Sequence, residues 1–409
     1  MMKRNRSQAA HVVIVLSLLT GMFLVQACQD DEEHLESEPY RVLDSILTTK
    51  VITFDEALQA TLDELGVDDE QIAPYRQRVK MASLRSRVYN AHVINYNTTD
   101  VYGRPLVVSG VVYYPKSGKP KGVIEAMSFN KEKQSCPSKR ITCYDLLVGM
   151  AGYIVLTSDQ IGCGTTESMV IPYMNINNVA KVSADLRQAA TELVRNVYGR
   201  SMPSWTLISG YSSGAAEAWA LARYYHLHPE LGVQPSQVWI GGGAYDPLAV
   251  LKYQLQTQYT DFAFIPNVIY SINHYDNLGL DLHNVFRGEL SEHYEEWCTG
   301  YVTVTELTKR LGTDISQYLN MDFFNDANED YRRLCASIEH FIVPNDWIPS
   351  CPVHVYHGRD DTYVPIQSSD KLVDYLRSVG ADVDYVVTEG NHTDNGITMT
   401  SDLVEFLYK

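Results

Sequence analysis

Ser212 lies in the run Gly210-Tyr211-Ser212-Ser213-Gly214, a serine flanked by glycines two positions away on either side. A serine hydroxyl attacks a carbonyl carbon well only when a base takes its proton, and that base needs a third group to hold it. The chain offers both types downstream. Asp360 and Asp361 close the run PVHVYHGRDD, and His392 closes DVDYVVTEGNH. Asp361 follows Ser212 by 149 positions, and His392 follows Asp361 by 31. Nucleophile, base and orienting acid together would carry out acyl transfer through a covalent intermediate. The oxyanion of that intermediate needs N–H donors. Ser213 would give its backbone N–H, and a second donor is expected from Phe129 to Lys131, in the loop after the strand-like GVIEAMS.

These residues work only if the backbone presents them together. WTLIS before the serine reads as a strand and GAAEAWALARYYHL after it as a helix, so Ser212 falls on a sharp strand-to-helix turn. A Cβ on either flank would strike the strand or the helix there, which is why glycine is required. The start of the helix adds N–H groups and a partial positive charge. Upstream, Thr53-Phe54-Asp55-Glu56 reads as a capping box, with Leu58, Leu62 and Leu65 on one helical face. SRVYNAHVINYN and PLVVSGVVYYP read as a hairpin joined by TTDVYGR. From Gly122 onward strands alternate with helices, ending in PVHVYHG, IQSSDKLVDYLRSVG, DVDYVVTE and ITMTSDLVEFLY. Antiparallel strands followed by alternation predict an α/β chain with a mostly parallel sheet and helices on both faces. Between Gly243 and Pro352 lie about a hundred residues rich in aromatics, acids and helix formers. That is too long for a loop and predicts a helical insertion at about 250–345, either a lid over the mouth of the sheet or a decoration.

The beginning of the chain reads differently. Lys3, Arg4 and Arg6 precede the apolar run VVIVLSLLTGMFLV, which has signal-peptide length and is too short for a membrane span. Val25-Gln26-Ala27-Cys28 resembles a lipobox, which would make 1–27 a leader and Cys28 the acylated residue. An acidic tether over 28–45 would then precede a domain over 46–409. The acidic run resembles the signal that some Gram-negative bacteria use to export lipoproteins to the surface of the outer membrane. The expected location is therefore the cell envelope, anchored by lipid alone. The chain carries 33 basic and 50 acidic side chains, a formal charge of −17, which becomes −20 without the leader. Such a charge repels phosphate, and no basic patch interleaved with aromatics occurs, so nucleic acid is excluded as a partner. No CxxC or HExxH occurs, and neither metal nor cofactor is expected. In an oxidising compartment Cys136–Cys143 and Cys298–Cys335 are the local disulfide expectations among Cys136, Cys143, Cys163, Cys298, Cys335 and Cys351.

Over roughly residues 85–409 the sequence resembles the α/β-hydrolases of the secretory lipase type. The similar stretches are NYNTTDVYGRPLVVSGVVYYP, SCPS (135–138), SDQIGCG (158–164), SADLRQAA (183–190), GGGAYD (241–246) and DWIPSCPVHVYHGRDDTYVP. The resemblance implies an α/β-hydrolase fold with Ser212, Asp361 and His392 as the catalytic residues. HGRDDTYVP resembles the H-G-x-x-D-x-x-V-P run of these enzymes, a register that selects Asp361 over Asp360. It implies an oxyanion role for Asn130, with Phe129 its rival, and structural roles for Asp159 and Asp185. His357 is expected to pack at its strand end. The function implied is a carboxylic ester hydrolase of lipase or esterase type, acting on a small-molecule or lipid ester without a cofactor. Two other readings stand beside it. One is a serine peptidase of the same fold, although the stretch between tether and hairpin is too short for a propeller. The other is a surface lipoprotein that keeps the fold and only binds a ligand.

Overall fold

The computed structural model describes residues 41–65, 87–128, 132–141 and 144–409. The leader, Cys28, most of the expected tether, the loop residues Phe129, Asn130 and Lys131, and Cys143 lie outside the described residues.

The strands are β1 (Leu43–Thr53), β2 (Val88–Thr99), β3 (Pro105–Pro115), β4 (Val123–Met127), β5 (Ile154–Ser158), β6 (Thr206–Tyr211), β7 (Gln237–Gly241), β8 (Val353–Gly358) and β9 (Val383–Thr388). They form one sheet in the order β1-β2-β3-β5-β4-β6-β7-β8-β9. β1, β2, β3 and β5 pair antiparallel, whereas β5, β4, β6, β7, β8 and β9 run parallel. β4 and β5 are buried along their whole length, as expected of central parallel strands covered on both faces.

The helices are α1 (Phe54–Leu65), α2 (Tyr144–Gly149), α3 (Ile176–Tyr198), α4 (Ser213–Leu227), α5 (Pro247–Thr257), α6 (Ile265–Tyr275), α7 (Leu282–Val285), α8 (Gly288–Trp297), α9 (Val304–Leu311), α10 (Glu329–Glu339), α11 (Gln367–Ser378) and α12 (His392–Tyr408). One core joins α1, α2 and α12 through Phe54, Leu146 and Leu403. Another joins α3, α4 and α11 through Ala180, Trp219 and Leu372. The capping box at Thr53 is formed, with the Thr53 N–H donating to Glu56 Oε2 at 2.8 Å. Helix α4 buries Ala215, Ala216, Ala218 and Ala222, small residues that let its axis come close to the sheet.

β1 departs from the sequence reading. The tether was expected to run to residue 45, yet Leu43 is buried and begins an eleven-residue strand. Glu192 on α3 explains the ordering, since its carboxylate accepts the backbone N–H groups of Arg41, Val42 and Leu43.

Helices α5 to α10 all lie between β7 and β8. They bury a core of their own that includes Leu251, Ile269, Phe286, Leu290, Leu307 and Leu334.

Among the described residues the expected disulfides are absent, and Cys143, the expected partner of Cys136, falls outside them. Cys298 and Cys335 are both free thiols: Cys298 caps α8 inside the insertion core, and Cys335 bonds Tyr331 along α10. Cys136 is also free, and its sulfur meets the Cys163 thiol in a small buried cluster with Ile171 and Tyr173.

Candidate active site

β6 runs directly into α4 with Ser212 between them, at φ 57° and ψ −125°. A non-glycine residue held there stores about 1–3 kcal/mol of backbone strain, a common mark of functional turns. Packing enforces the turn. A Cβ on Gly210 would lie 2.1 Å from the Gly214 carbonyl oxygen, and one on Gly214 would lie 2.1 Å from that of Met127 at the end of β4. The Ser212 N–H donates to the Gly241 carbonyl at 2.9 Å, tying the turn to β7.

Ser212 and Ser213 line a cavity of about 300 Å³. Its walls come largely from the insertion, through Leu251, Phe264, Ile269 and Val304, with Tyr363 and Val364 from the turn after β8. The lining is mostly apolar, and Glu132, Arg140 and Gln254 are among its polar members.

His392 is the first residue of α12, and Asp361 follows the end of β8. Both are buried, and His392 Nδ1 donates to Asp361 Oδ2 at 2.6 Å. The other carboxylate oxygen of Asp361 accepts the N–H groups of Tyr363 and Val364, each at 2.9 Å. Asp360 is exposed and contributes its backbone N–H to the Gly390 carbonyl. Asn391 caps α12 in a capping box with Asp394, which sets the direction in which His392 leaves the turn. The Tyr363 ring lies tilted 4.9 Å from the imidazole, and the Tyr211 ring lies 5.0 Å from it. The structure thus brings Asp361 and His392 into contact and sets Ser212 at the cavity. No hydrogen bond joins Ser212 Oγ to His392 among the described residues. Asn130 falls outside them.

His357 is fully buried, with Nδ1 2.7 Å from Ser369 Oγ and Nε2 2.9 Å from the Val364 carbonyl. Burial pushes it below the usual histidine range, and it sits 3.4 Å from Asp361 as a packed neighbour of the acid. Asp159 accepts from Ser109 Oγ at 2.5 Å and from the Ser138 N–H at 2.7 Å, and burial raises its carboxyl. Asp185 binds Thr98 and Lys181, each at 2.6 Å.

Glu132 and Lys133 tie to the insertion and to the segment after β5. Lys133 is buried and donates through Nζ to the carbonyls of Glu167 and Met169, each at 2.8 Å. Its ammonium also lies 4.8 Å over the Tyr301 ring, and its backbone N–H donates to Gly300 at 3.0 Å. Glu132 Oε1 accepts from the Val304 N–H at 3.3 Å. Sequence reasoning passed over Lys133, Tyr211 and Tyr363. Tyr211 alone carried a visible signal, as the residue directly before the candidate nucleophile.

No family model matches the chain, and no curated protein matches it. Solved structures do. A protein from Legionella pneumophila proposed to be a hydrolase aligns at TM-score 0.74 and 19% identity, over 89% of this chain and 97% of its own. The rice cell wall degrading esterase LipA of Xanthomonas oryzae aligns at TM-score 0.70 and 20% identity, over 88% and 96%. Candida antarctica lipase A aligns at TM-score 0.58 and 11% identity, over 87% and 81%. With the mostly parallel nine-stranded sheet, these likenesses show that the chain has the α/β-hydrolase fold.

Proposed function

We propose that the protein is a serine hydrolase of carboxylic esters, with Ser212 as nucleophile, His392 as general base and Asp361 as the acid that orients it. The observation that carries this is the 2.6 Å bond between His392 Nδ1 and Asp361, which leaves Nε2 as the acceptor for a serine proton. Ser212 Oγ bonds to the acyl carbon as its proton passes to His392 Nε2. The tetrahedral oxyanion is held by the Ser213 N–H at the start of α4 and by a donor in the loop of Asn130. Collapse expels the alcohol, which leaves with the proton from His392. Water, deprotonated by the same histidine, then releases the acid and restores the serine.

The esterase and lipase names among the structural neighbours favour ester over amide as substrate. The cavity favours an apolar acyl group. At about 30 Å³ per water-sized group it holds on the order of ten heavy atoms. Because most of its walls belong to the insertion, acyl preference is assigned to that subdomain. The same proposal puts the protein on the cell envelope, acylated at Cys28.

A panel of 4-nitrophenyl esters graded by acyl length, with a matched 4-nitroanilide, tests this reading. Hydrolysis of medium-length esters with little anilide turnover supports it. Preferential anilide cleavage would replace it with a peptidase, and no turnover of either would leave a binding protein.

A further inference from the structure

We propose that Tyr211 is a positioning residue that fixes His392 through its backbone carbonyl while occupying a slot built from three glycines. This rests on the reading of His392 as the general base. The Tyr211 hydroxyl donates to the His392 carbonyl at 2.5 Å and accepts from Asn395 Nδ2 at 3.1 Å. Asn395 is fully buried, and its Oδ1 accepts from Thr388 Oγ1 at 2.9 Å. Thr388 ends β9 and Asn395 lies in the first turn of α12, so the chain of bonds spans the turn that carries the histidine. Burial pushes the Tyr211 phenol well above the usual tyrosine range, with the Asp361 charge adding to it, so the group stays a hydrogen-bond donor.

The ring fits because three positions lack a side chain. A Cβ on Gly241, Gly242 or Gly396 would approach the Tyr211 ring to 2.9, 2.9 or 3.0 Å. These glycines come from the end of β7, from the segment after it and from α12, so three parts of the fold give up a side chain for one ring. Gly242 also sits at φ 58°, a conformation glycine adopts without strain. Tyr211 and Ser212 are adjacent in sequence, so the backbone that sets the nucleophile also sets the base. Asp361 fixes the tautomer of the imidazole, while Tyr211 fixes the point from which it projects.

Tyr211→Phe removes the hydroxyl and leaves the ring in its slot. The expected result on a short soluble ester is a fall in kcat of about tenfold with KM within about twofold of wild type. A purely structural role would lower the melting temperature and leave kcat per folded molecule unchanged. Tyr225→Phe, which removes another buried hydroxyl (2.6 Å from Glu125), is the control for that behaviour. The direct readout is the low-field proton resonance of His392 Nδ1–H in its bond to Asp361, which Tyr211→Phe is expected to shift or broaden. Unchanged kcat with an unchanged resonance overturns the inference. A fall in kcat with an unchanged resonance also overturns it, because the hydroxyl then acts elsewhere than through His392. If wild type hydrolyses no ester, the functional reading fails and the resonance alone decides the positioning role. Should Tyr211→Phe fail to fold, Gly396→Ala, which crowds the ring with its hydroxyl intact, is expected to give the same pair of changes.

Discussion

Asp361 divides its carboxylate between two tasks: Oδ2 accepts from His392 Nδ1 at 2.6 Å, and Oδ1 accepts the N–H groups of Tyr363 and Val364. The acid is therefore held by backbone before it holds the histidine. Asp361→Asn is expected to lower kcat by about a thousandfold or more, since an amide cannot keep the imidazole in the tautomer needed at Nε2. Asp360→Asn, at an exposed side chain, is expected to stay within about twofold. Ester hydrolysis by the two purified variants checks the ranking, and the reverse order would shift the orienting acid by one residue.

The elbow predicts a steric result. Gly214→Ala would place a methyl 2.1 Å from the Met127 carbonyl oxygen, which belongs to the central sheet and cannot yield cheaply. A loss of about 3 kcal/mol in denaturant unfolding, or failure to accumulate folded protein, is expected. Gly103→Ala, where no atom lies within 4 Å of the added Cβ, should cost only the strain of its φ of 78°. Equal stability of the two variants would contradict the packing account.

Much of this architecture was legible in the sequence, for physical reasons. The run from WTLIS through GAAEAWALARYYHL carried both periodicities and the glycines of the turn, so strand, elbow and helix could be placed from the residues alone. The alternation after Gly122 was equally readable, because central strands bury both faces and read as continuous apolar runs. β1 was missed because most of its side chains are exposed and it is held by long-range partners, the β2 ladder and, at its start, Glu192 about 150 positions away. The start of α12 at His392 was hidden because Gly-Asn-His reads as a turn, while the capping box that begins the helix depends on Asp394. That Cys298 and Cys335 stay unbridged is not legible in their spacing, which says nothing of side-chain direction. The Tyr211 slot could not be seen, since Gly396 on α12 meets Gly241 and Gly242 only in three dimensions.

The cavity gives a specificity test. Val268 lines it from the insertion, and Val268→Trp would fill much of an acyl channel without touching Ser212 or His392. Octanoyl ester hydrolysis is expected to fall by about tenfold or more while acetyl ester hydrolysis holds within about threefold. A uniform loss across acyl lengths would show that the acyl chain lies elsewhere.

Stability should also depend on pH through His92. Burial lowers its pKa from the usual 6.5 to about 4, with Thr49 and Tyr198 at its ring nitrogens. Between these values the unfolded chain binds a proton that the folded one does not. The contribution is complete above about pH 6.5 and is lost as pH falls toward 4. Thermal unfolding across that window is expected to show the melting temperature falling with pH, less steeply in His92→Asn. An identical slope in both proteins would assign the effect to other groups.

The central claim is that Ser212 is a nucleophile activated by His392, and an active-site-directed fluorophosphonate tests it most directly. Peptide mapping by mass spectrometry of the treated protein should find a single phosphonyl adduct on Ser212. Labelling should be abolished in Ser212→Ala and slowed by at least about a hundredfold in His392→Ala. A wild-type protein that takes no label, or takes it on another residue, would contradict the account.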